Sequence, residues 1–229
     1  MTRCVLFDLD GTLYDFDTAA AHALAEGSAA AERLLGIPAE QIRADLRRIL
    51  EEQRSIAPDQ AGYHSRLVRF QRILEEHRFP LKFAVPLVHT YWRAFLDAMT
   101  PFPDADATLA ALHEHGLRIG LGTNMSAYMQ FLKLERLGLI DRFDFVVTSE
   151  ETAAEKPLSR FFSFCERKAL CPAAECLFVG DNLQYDVLGA VAAGMQGLWL
   201  QPDAAKRAEH PEVRSIATLG ELLSHFSQP

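Results

Sequence analysis

The sequence predicts an α/β protein: a parallel sheet with helical crossovers, opened after its first strand by an inserted block of helices. Three observations carry that prediction. The chain begins with a short apolar run, Cys4-Val5-Leu6-Phe7, that breaks off at Asp8, Leu9, Asp10, Gly11 and Thr12. A run this short, bounded by turn residues, reads as a strand buried on both faces. From Pro101 onward similar runs alternate with helix-period segments, the pattern of parallel strands joined by right-handed crossovers. Between these regions, roughly residues 15–100, the periodicity is helical and no convincing strand is found. A lone strand needs a sheet, so residues 1–14 must rejoin residues 100–229, which leaves 15–99 as an insertion.

The inserted block reads as a four-helix bundle. Thr18 to Leu35 is Ala-rich and stops at Gly36-Ile37-Pro38. A second helix starts at Pro38 or Ala39, with Ile42, Leu46, Ile49 and Leu50 on one face. A third, about 61–77, is expected to group Leu67, Phe70 and Leu74. A fourth, about 84–99, carries Leu87, Tyr91 and Phe95 at i, i+4 and i+8, beside Val88 and Trp92. Pro86 falls in its first turn, where a missing N–H costs little.

After the insertion, Pro101-Phe102-Pro103-Asp104 reads as a linker that caps a helix from Ala105 to His115, ended by Gly116. A strand from Leu117 to Leu121 leads to Gly122-Thr123-Asn124, and a helix over about 126–137 ends at Gly138. A strand from Phe143 to Thr148 and a loop follow, reaching Lys156-Pro157 and a helix over 158–169. Next come a strand from Cys176 to Val179, Gly180-Asp181-Asn182, a helix over 183–193, Gly194, and a strand from Gln196 to Leu200. A short strand near 213–216 and a helix over about 219–226 finish the chain, with no internal repeat or low-complexity stretch.

Composition narrows the function classes. The 229 residues, 49% hydrophobic and 24% charged, are ordinary for a soluble globular protein and enough for one large or two modest domains. No apolar stretch approaches the ~20 residues of a membrane-spanning helix. Asp8 and Asp10 interrupt the N-terminal apolar run too early for a signal peptide, so a cytoplasmic protein with no membrane partner is expected. The net charge of −8 disfavours nucleic acid, while a small anionic substrate is compatible with it if local cations offset the field. Cys4, Cys165, Cys171 and Cys176 show no CxxC spacing and no histidines at zinc-ligand spacing, and are expected as buried or semi-buried free thiols.

Asp8 and Asp10 stand at the C-terminal end of the first strand, the end at which open parallel sheets bind ligands. Gly11 allows a sharp turn and Thr12 offers a hydroxyl. Thr123 and Asn124 follow the next strand in sequence, Lys156 lies in the loop after a third, and Asp181, Asn182 and Asp186 follow a fourth. Each has an ordinary explanation: an Asp-Gly turn, a helix cap at Thr123, Asn124 or Ser126, a solvated lysine among Glu150, Glu151 and Glu155, or turn residues at Asp181 and Asn182. Jointly they place four carboxylates, one ammonium and at least one hydroxyl at one sheet edge. Carboxylates a few Å apart repel by on the order of a few kcal/mol per pair at moderate effective dielectric. Either some are protonated, or a metal and Lys156 neutralise them. Oxygen ligands without Cys or His favour Mg²⁺.

The same residues carry a resemblance over essentially the whole chain to the haloacid dehalogenase (HAD)-like hydrolase superfamily. Its four motifs are met in order by DLDGT at 8–12, TN at 123–124, KP at 156–157 and GDNLQYD at 180–186, with an acidic loop, 149–155, leading to the lysine. The resemblance implies a Rossmann-like three-layer parallel sheet core, 1–14 and 100–229, with an inserted α-helical bundle cap, 15–99, as in the phosphatase branch. It implies that Asp8 attacks phosphorus and forms an aspartyl-phosphate. Asp10 then protonates the leaving alkoxide and afterwards deprotonates the hydrolytic water. Thr123, Asn124 and Lys156 become phosphate-binding residues, with Lys156 also neutralising Asp8. The implied Mg²⁺ ligands are Asp8, the Asp10 backbone carbonyl and Asp181, supported by Asn182 and Asp186.

Asp10 also discriminates within the family. Halide departure needs no proton and the dehalogenase branch typically lacks this acid, so its presence favours phosphate esters. Leu158-Ser159 after the lysine motif, where Asp-Pro is frequent, and Asp104, where Gly is common, leave the subfamily open. The resemblance thus implies a phosphatase for a small phosphorylated metabolite of the nucleotide, phosphoglycolate or sugar phosphate type, acting as a monomer or homodimer. A phosphosugar mutase, a 2-haloacid dehalogenase and a catalytically silent binding protein are the alternatives on the same fold. The intact set Asp8, Asp10, Thr123, Lys156 and Asp181 argues against the last. Substrate selection is expected in a mobile cap, with Tyr14, Phe16, Tyr63, His64, Arg66, Arg69 and Lys82 as candidate contacts, although ordinary packing or surface roles suit most of them.

Overall fold

In the computed structural model, which describes residues 1–56 and 64–226, six parallel strands form one sheet in the order β3-β2-β1-β4-β5-β6. They are β1 (Cys4–Phe7), β2 (Arg118–Thr123), β3 (Phe145–Thr148), β4 (Cys176–Gly180), β5 (Gln196–Leu200) and β6 (Ser215–Ile216). β1 lies between β2 and β4: Cys4 is in register with Arg118 on one side and Cys176 on the other, and Phe7 with Leu121 and Val179. A strand paired on both edges and covered on both faces meets no water, so Cys4, Val5, Leu6 and Phe7 are all fully buried and need no polar alternation. Strand order reverses at β1, and the carboxyl ends beside such a reversal form the crevice of an open α/β sheet.

Crossover helices cover the sheet. The core unit comprises Met1–Asp15 and Thr100–Pro229. Its helices include α5 (Ala105–Glu114), α6 (Ala127–Leu137), the short α7 (Ser149–Thr152), α8 (Ser159–Ala169), α9 (Gly189–Ala192) and α10 (Ala204–Ala208). On one sheet face α8 lays Phe161, Phe162 and Cys165 against Leu6, Val147 and Phe178. Phe162 meets Phe161 and Phe178 edge-on, with ring centroids 5.6 and 5.5 Å apart, the arrangement aromatic quadrupoles favour. The four cysteines are buried and free. No described helix is long and apolar enough to cross a membrane.

The second unit, Phe16–Met99, holds α1 (Phe16–Leu35), α2 (Ala39–Ile56), α3 (Arg66–Glu76) and α4 (Ala84–Ala98). Ala19, Ala23, Gly27 and Ala31 form the small-residue stripe of α1, spaced at i+4, and Tyr91 of α4 fits against Gly27. A Cβ at Gly27 would lie 3.3 Å from the Tyr91 ring.

Several boundaries differ from expectation. The third inserted helix buries Arg69, Phe70, Ile73 and Leu74, and Leu67 is exposed. Capping by Ser65 starts this helix at Arg66, so Leu67 stands in its first turn on the flank of the 69/70/73/74 stripe, where it remains partly open to solvent. The earlier part of that expected helix, with Tyr63, falls outside the described residues. Asp104 makes no side-chain cap on α5; its Oδ2 instead accepts the Gly220 N–H at 2.8 Å. The loop before Lys156 contains α7, and α10 lies between β5 and β6, where no helix is expected. The expected helix over 183–193 is a wide π-type turn, Leu183–Leu188, followed by α9, and the C-terminal helix is a 3₁₀ segment, Leu219–His225.

Candidate active site

Strand β1 delivers Asp8 to the sheet edge, where its N–H donates to the Val179 carbonyl at 2.9 Å. The Lys156 Nζ reaches in from the loop after α7, 2.7 Å from Asp8 Oδ1 and 2.6 Å from Asp186 Oδ1. That ammonium is buried beside the rings of Phe178 and Phe161, 5.3 and 5.9 Å from their centroids. Asp186 Oδ2 accepts the Asn182 N–H at 3.0 Å. Its carboxyl packs over Gly180, where any Cβ would collide with it. Asn182 acts as a cap: its Oδ1 accepts the N–H groups of Gln184 and Tyr185.

Asp181 is bound to the first motif through Thr12. The Thr12 hydroxyl accepts the Asp181 N–H at 3.1 Å and donates to its Oδ1 at 3.2 Å. Trp199 Nε1–H donates to the Asp181 carbonyl at 2.8 Å. Gly11 has φ +87°, and a Cβ there would stand 2.5 Å from Asp181 Oδ2, so both the backbone conformation and the space require glycine.

Asp8, Asp181 and Asp186 each bring a carboxylate oxygen within 4.8 Å of the others. Burial pushes Asp8 up to about 8; Lys156 opposes this, and Asp186, Asp181 and Asp10 add to it. Burial and then the charge of Asp186 push Asp181 up to about 6, against Lys156 and the Thr12 hydrogen bond. Burial alone would pull Lys156 down, but Asp186 and Asp8 hold it well above its ordinary value. One ammonium therefore does not neutralise three clustered carboxylates. The donor set is all oxygen and short of positive charge, which suits a small hard cation.

The second motif braces the third. Asn124 Oδ1 accepts the Lys156 N–H at 2.9 Å, and its Nδ2 points at the Lys156 carbonyl at 3.5 Å. Met125 takes φ 113°, a strained conformation for a side-chain-bearing residue, and its N–H donates to Ser149 Oγ at 2.8 Å. Neither Thr123, Asn124 nor Ser126 caps α6 through its side chain; the Ala127 N–H goes to Glu150 Oε2 at 2.8 Å. Thr123 Oγ1 instead accepts from Gln130 Nε2 at 2.5 Å.

Asp10 stands apart from the carboxylate cluster. Its Oδ1 and Oδ2 lie 2.8 and 2.7 Å from Lys133 Nζ, and Tyr14 OH donates to Oδ1 at 2.5 Å. Burial disfavours the ionised form, but the Lys133 charge and hydrogen bond, with Tyr14 and Gln130, hold Asp10 below the usual carboxylate range. Lys133 and Gln130 were not singled out from sequence. The signal for them was the α6 period: the buried face is Gln130, Lys133, Leu134 and Leu137, two polar residues where a core helix wants apolar ones. Tyr14, expected as a substrate contact, is fully buried with its hydroxyl on Asp10.

Within the helical unit, Arg69 is buried and its Nε donates to Gln53 Oε1 at 3.2 Å. The Arg66 guanidinium lies 5.0 Å from the Trp92 ring centroid and donates to the His64 carbonyl. Lys82 Nζ lies 5.2 Å from the Phe83 ring centroid, and Phe16 packs on Phe95 at 5.6 Å.

Comparison with known proteins adds to this geometry. A family model for haloacid dehalogenase-like hydrolases matches residues 2–194. A ribulose-1,5-bisphosphate 5-phosphatase from Halopiger xanaduensis is 38% identical over 241 residues, 97% of this chain and 98% of the relative. A glyceraldehyde 3-phosphate phosphatase from Methanothermobacter thermautotrophicus is 33% identical over 231 residues, 100% of this chain and 98% of its own. Among solved structures, the HAD-hydrolase YfnB from Bacillus subtilis, bound to magnesium, aligns with a TM-score of 0.71 at 26% identity over 99% of both chains.

Proposed function

The chain belongs to the haloacid dehalogenase-like hydrolases, and from that membership we propose that it is a Mg²⁺-dependent phosphatase for a small phosphosugar, working through an aspartyl-phosphate on Asp8. The observation that carries the reading is Lys156 bridging Asp8 and Asp186 at 2.7 and 2.6 Å within a cluster of three carboxylates. A carboxylate is an adequate nucleophile only when positioned and electrostatically supported. Its backbone N–H holds Asp8 on the sheet, and its Oδ1 is fixed by Lys156, which leaves Oδ2 for attack.

Asp8, Asp181 and the Asp10 carbonyl, with Asp186 close by, would hold Mg²⁺, which when bound neutralises charge on the transferring phosphoryl group. Lys156 supplies a second positive charge beside the nucleophile. Thr123, held by Gln130, and the Asn124 backbone offer donors for phosphoryl oxygens. Asp10, ionised beside Lys133 in the resting site, takes up a proton from solvent before passing one to the departing alcohol oxygen, and as the carboxylate it then takes one from the water that attacks the aspartyl-phosphate. Support for a phosphosugar comes from the two relatives, named for ribulose bisphosphate and glyceraldehyde phosphate.

The test is phosphate release from a panel of sugar phosphates and nucleotides with Mg²⁺, then with chelator. Metal-dependent turnover is expected, strongest on a phosphosugar and abolished in Asp8→Asn. Isomerised sugar phosphate without free phosphate, or turnover that survives Asp8→Asn, would overturn the reading.

A further inference from the structure

We propose that Lys133 is the positioning residue for Asp10: it holds the acid–base carboxylate in one orientation and ties that orientation to the end of β2. The proposal rests on the reading of Asp10 as the group that moves the proton.

The backbone places the Asp10 Cβ but leaves its carboxylate plane loose, because rotation about an Asp χ2 is broad and roughly two-fold. Something outside the residue must set that plane. Lys133 Nζ sits nearly equidistant from both oxygens, at 2.8 and 2.7 Å, and Tyr14 OH takes Oδ1 from another direction at 2.5 Å. Two donors at different angles remove the freedom that χ2 has alone.

Packing does not explain the lysine. Lys133 is fully buried on the core face of α6, between Gln130 and the apolar Leu134 and Leu137. A leucine or methionine would fill that face without desolvating an ammonium. The lysine ammonium also meets the thioether of Met125, with Nζ 3.9 Å from Sδ, so the strained residue after the second motif lies against the same side chain.

Helix α6 supplies the tie. One turn before Lys133, Gln130 Nε2 donates to Thr123 Oγ1 at 2.5 Å and to the Asn124 carbonyl at 2.9 Å. Residues three apart lie on one helix face. A single rigid face therefore grips the first motif through Lys133 and the second through Gln130. Asp10 is held relative to the phosphoryl-binding groups, and not only relative to its own strand.

The experiment compares two phosphate monoesters in Mg²⁺: p-nitrophenyl phosphate, whose phenolate departs without a proton, and glycerol 2-phosphate, whose alkoxide needs one. The value of kcat/KM reports steps through departure of the alcohol, before water attacks. Lys133→Met is expected to lower kcat/KM for glycerol 2-phosphate by about 10–100-fold and for the aryl ester by less than about threefold. Lys133→Arg should restore most of the ratio between the two esters, and Tyr14→Phe should shift it in the same direction by a smaller factor. If Lys133→Met fails to fold, those two variants decide the matter. Equal loss on both esters marks a loosened fold and overturns the proposal.

Melting of Lys133→Met, Asp10→Asn and the double variant gives a readout free of turnover. A double variant that melts near the worse single supports the pairing, and additive losses overturn it. Wild type that cleaves neither ester defeats the phosphatase reading instead, and the melting cycle alone then judges whether Lys133 holds Asp10.

Discussion

Replacing Lys156 with methionine isolates the electrostatic cost of the carboxylate cluster. The methionine keeps the apolar stem beside Phe178 and Phe161 but removes the ammonium that lies 2.7 Å from Asp8 and 2.6 Å from Asp186. Deleting one partner of a buried pair costs about 3–5 kcal/mol, because the opposite charge is left desolvated. The cluster relieves part of that by binding one further proton, which the unfolded chain does not hold at neutral pH. The folded variant then carries more protons than its unfolded state, so its stability falls as pH rises, by about 1.4 kcal/mol per pH unit per proton. Raising the pH from 5.5 to 7.5 should therefore enlarge the deficit against wild type by about 2–3 kcal/mol. The assay is urea unfolding in chelator at both pH values, in a Trp92→Phe background, so that Trp199, bonded to the Asp181 carbonyl, reports on the core unit alone. A deficit below about 1 kcal/mol, or one identical at the two pH values, refutes the reasoning.

Other outcomes follow from the same geometry. In metal-free protein, Asp8 and Asp181 are raised to about 8 and about 6, so the stability their protonation lends is complete below the unfolded carboxylate values and is lost as pH climbs through about 6 for Asp181 and about 8 for Asp8. Mg²⁺ held by these carboxylates would displace their protons, so calorimetric affinity for Mg²⁺ should strengthen between pH 6 and pH 8; constant or weaker affinity contradicts this. Gly11→Ala forces a Cβ to within 2.5 Å of Asp181 Oδ2 at a backbone φ of +87°. It should cost at least about 1 kcal/mol in unfolding experiments and most of the Mg²⁺-induced rise in melting temperature; unchanged metal stabilisation counts against Asp181 as a ligand.

What was legible in the sequence was chemistry placed at element ends. Asp8, Thr123, Lys156 and Asp181 each follow an apolar run, and strand order alone brings such residues to one edge. Lys133 and Gln130 lie mid-helix, where a lysine or glutamine normally faces solvent, so only the period of α6 distinguished them. Leu67 shows a related limit: its spacing matches Phe70 and Leu74, but the cap at Ser65 puts it in the first turn, where it stays exposed. Asp104 had the composition of a cap and the structure used it as an acceptor for Gly220, a partner 116 positions away in sequence. Tyr14 reads as a candidate substrate contact because no local pattern shows that its hydroxyl meets Asp10.

The junction between the two halves of the core unit has a consequence of its own. Tyr14 bridges Pro101 in antiparallel fashion, and the Phe102 N–H donates to the Leu13 carbonyl at 2.9 Å. The point where the chain departs is thus hydrogen-bonded to the point where it comes back. Such a bridge works as a socket of fixed width, about 5 Å between α-carbons. Any insert whose two ends meet that spacing plugs in without disturbing the register of β1 and β2. The strand register of the core therefore does not depend on the length of the chain that runs between these two points.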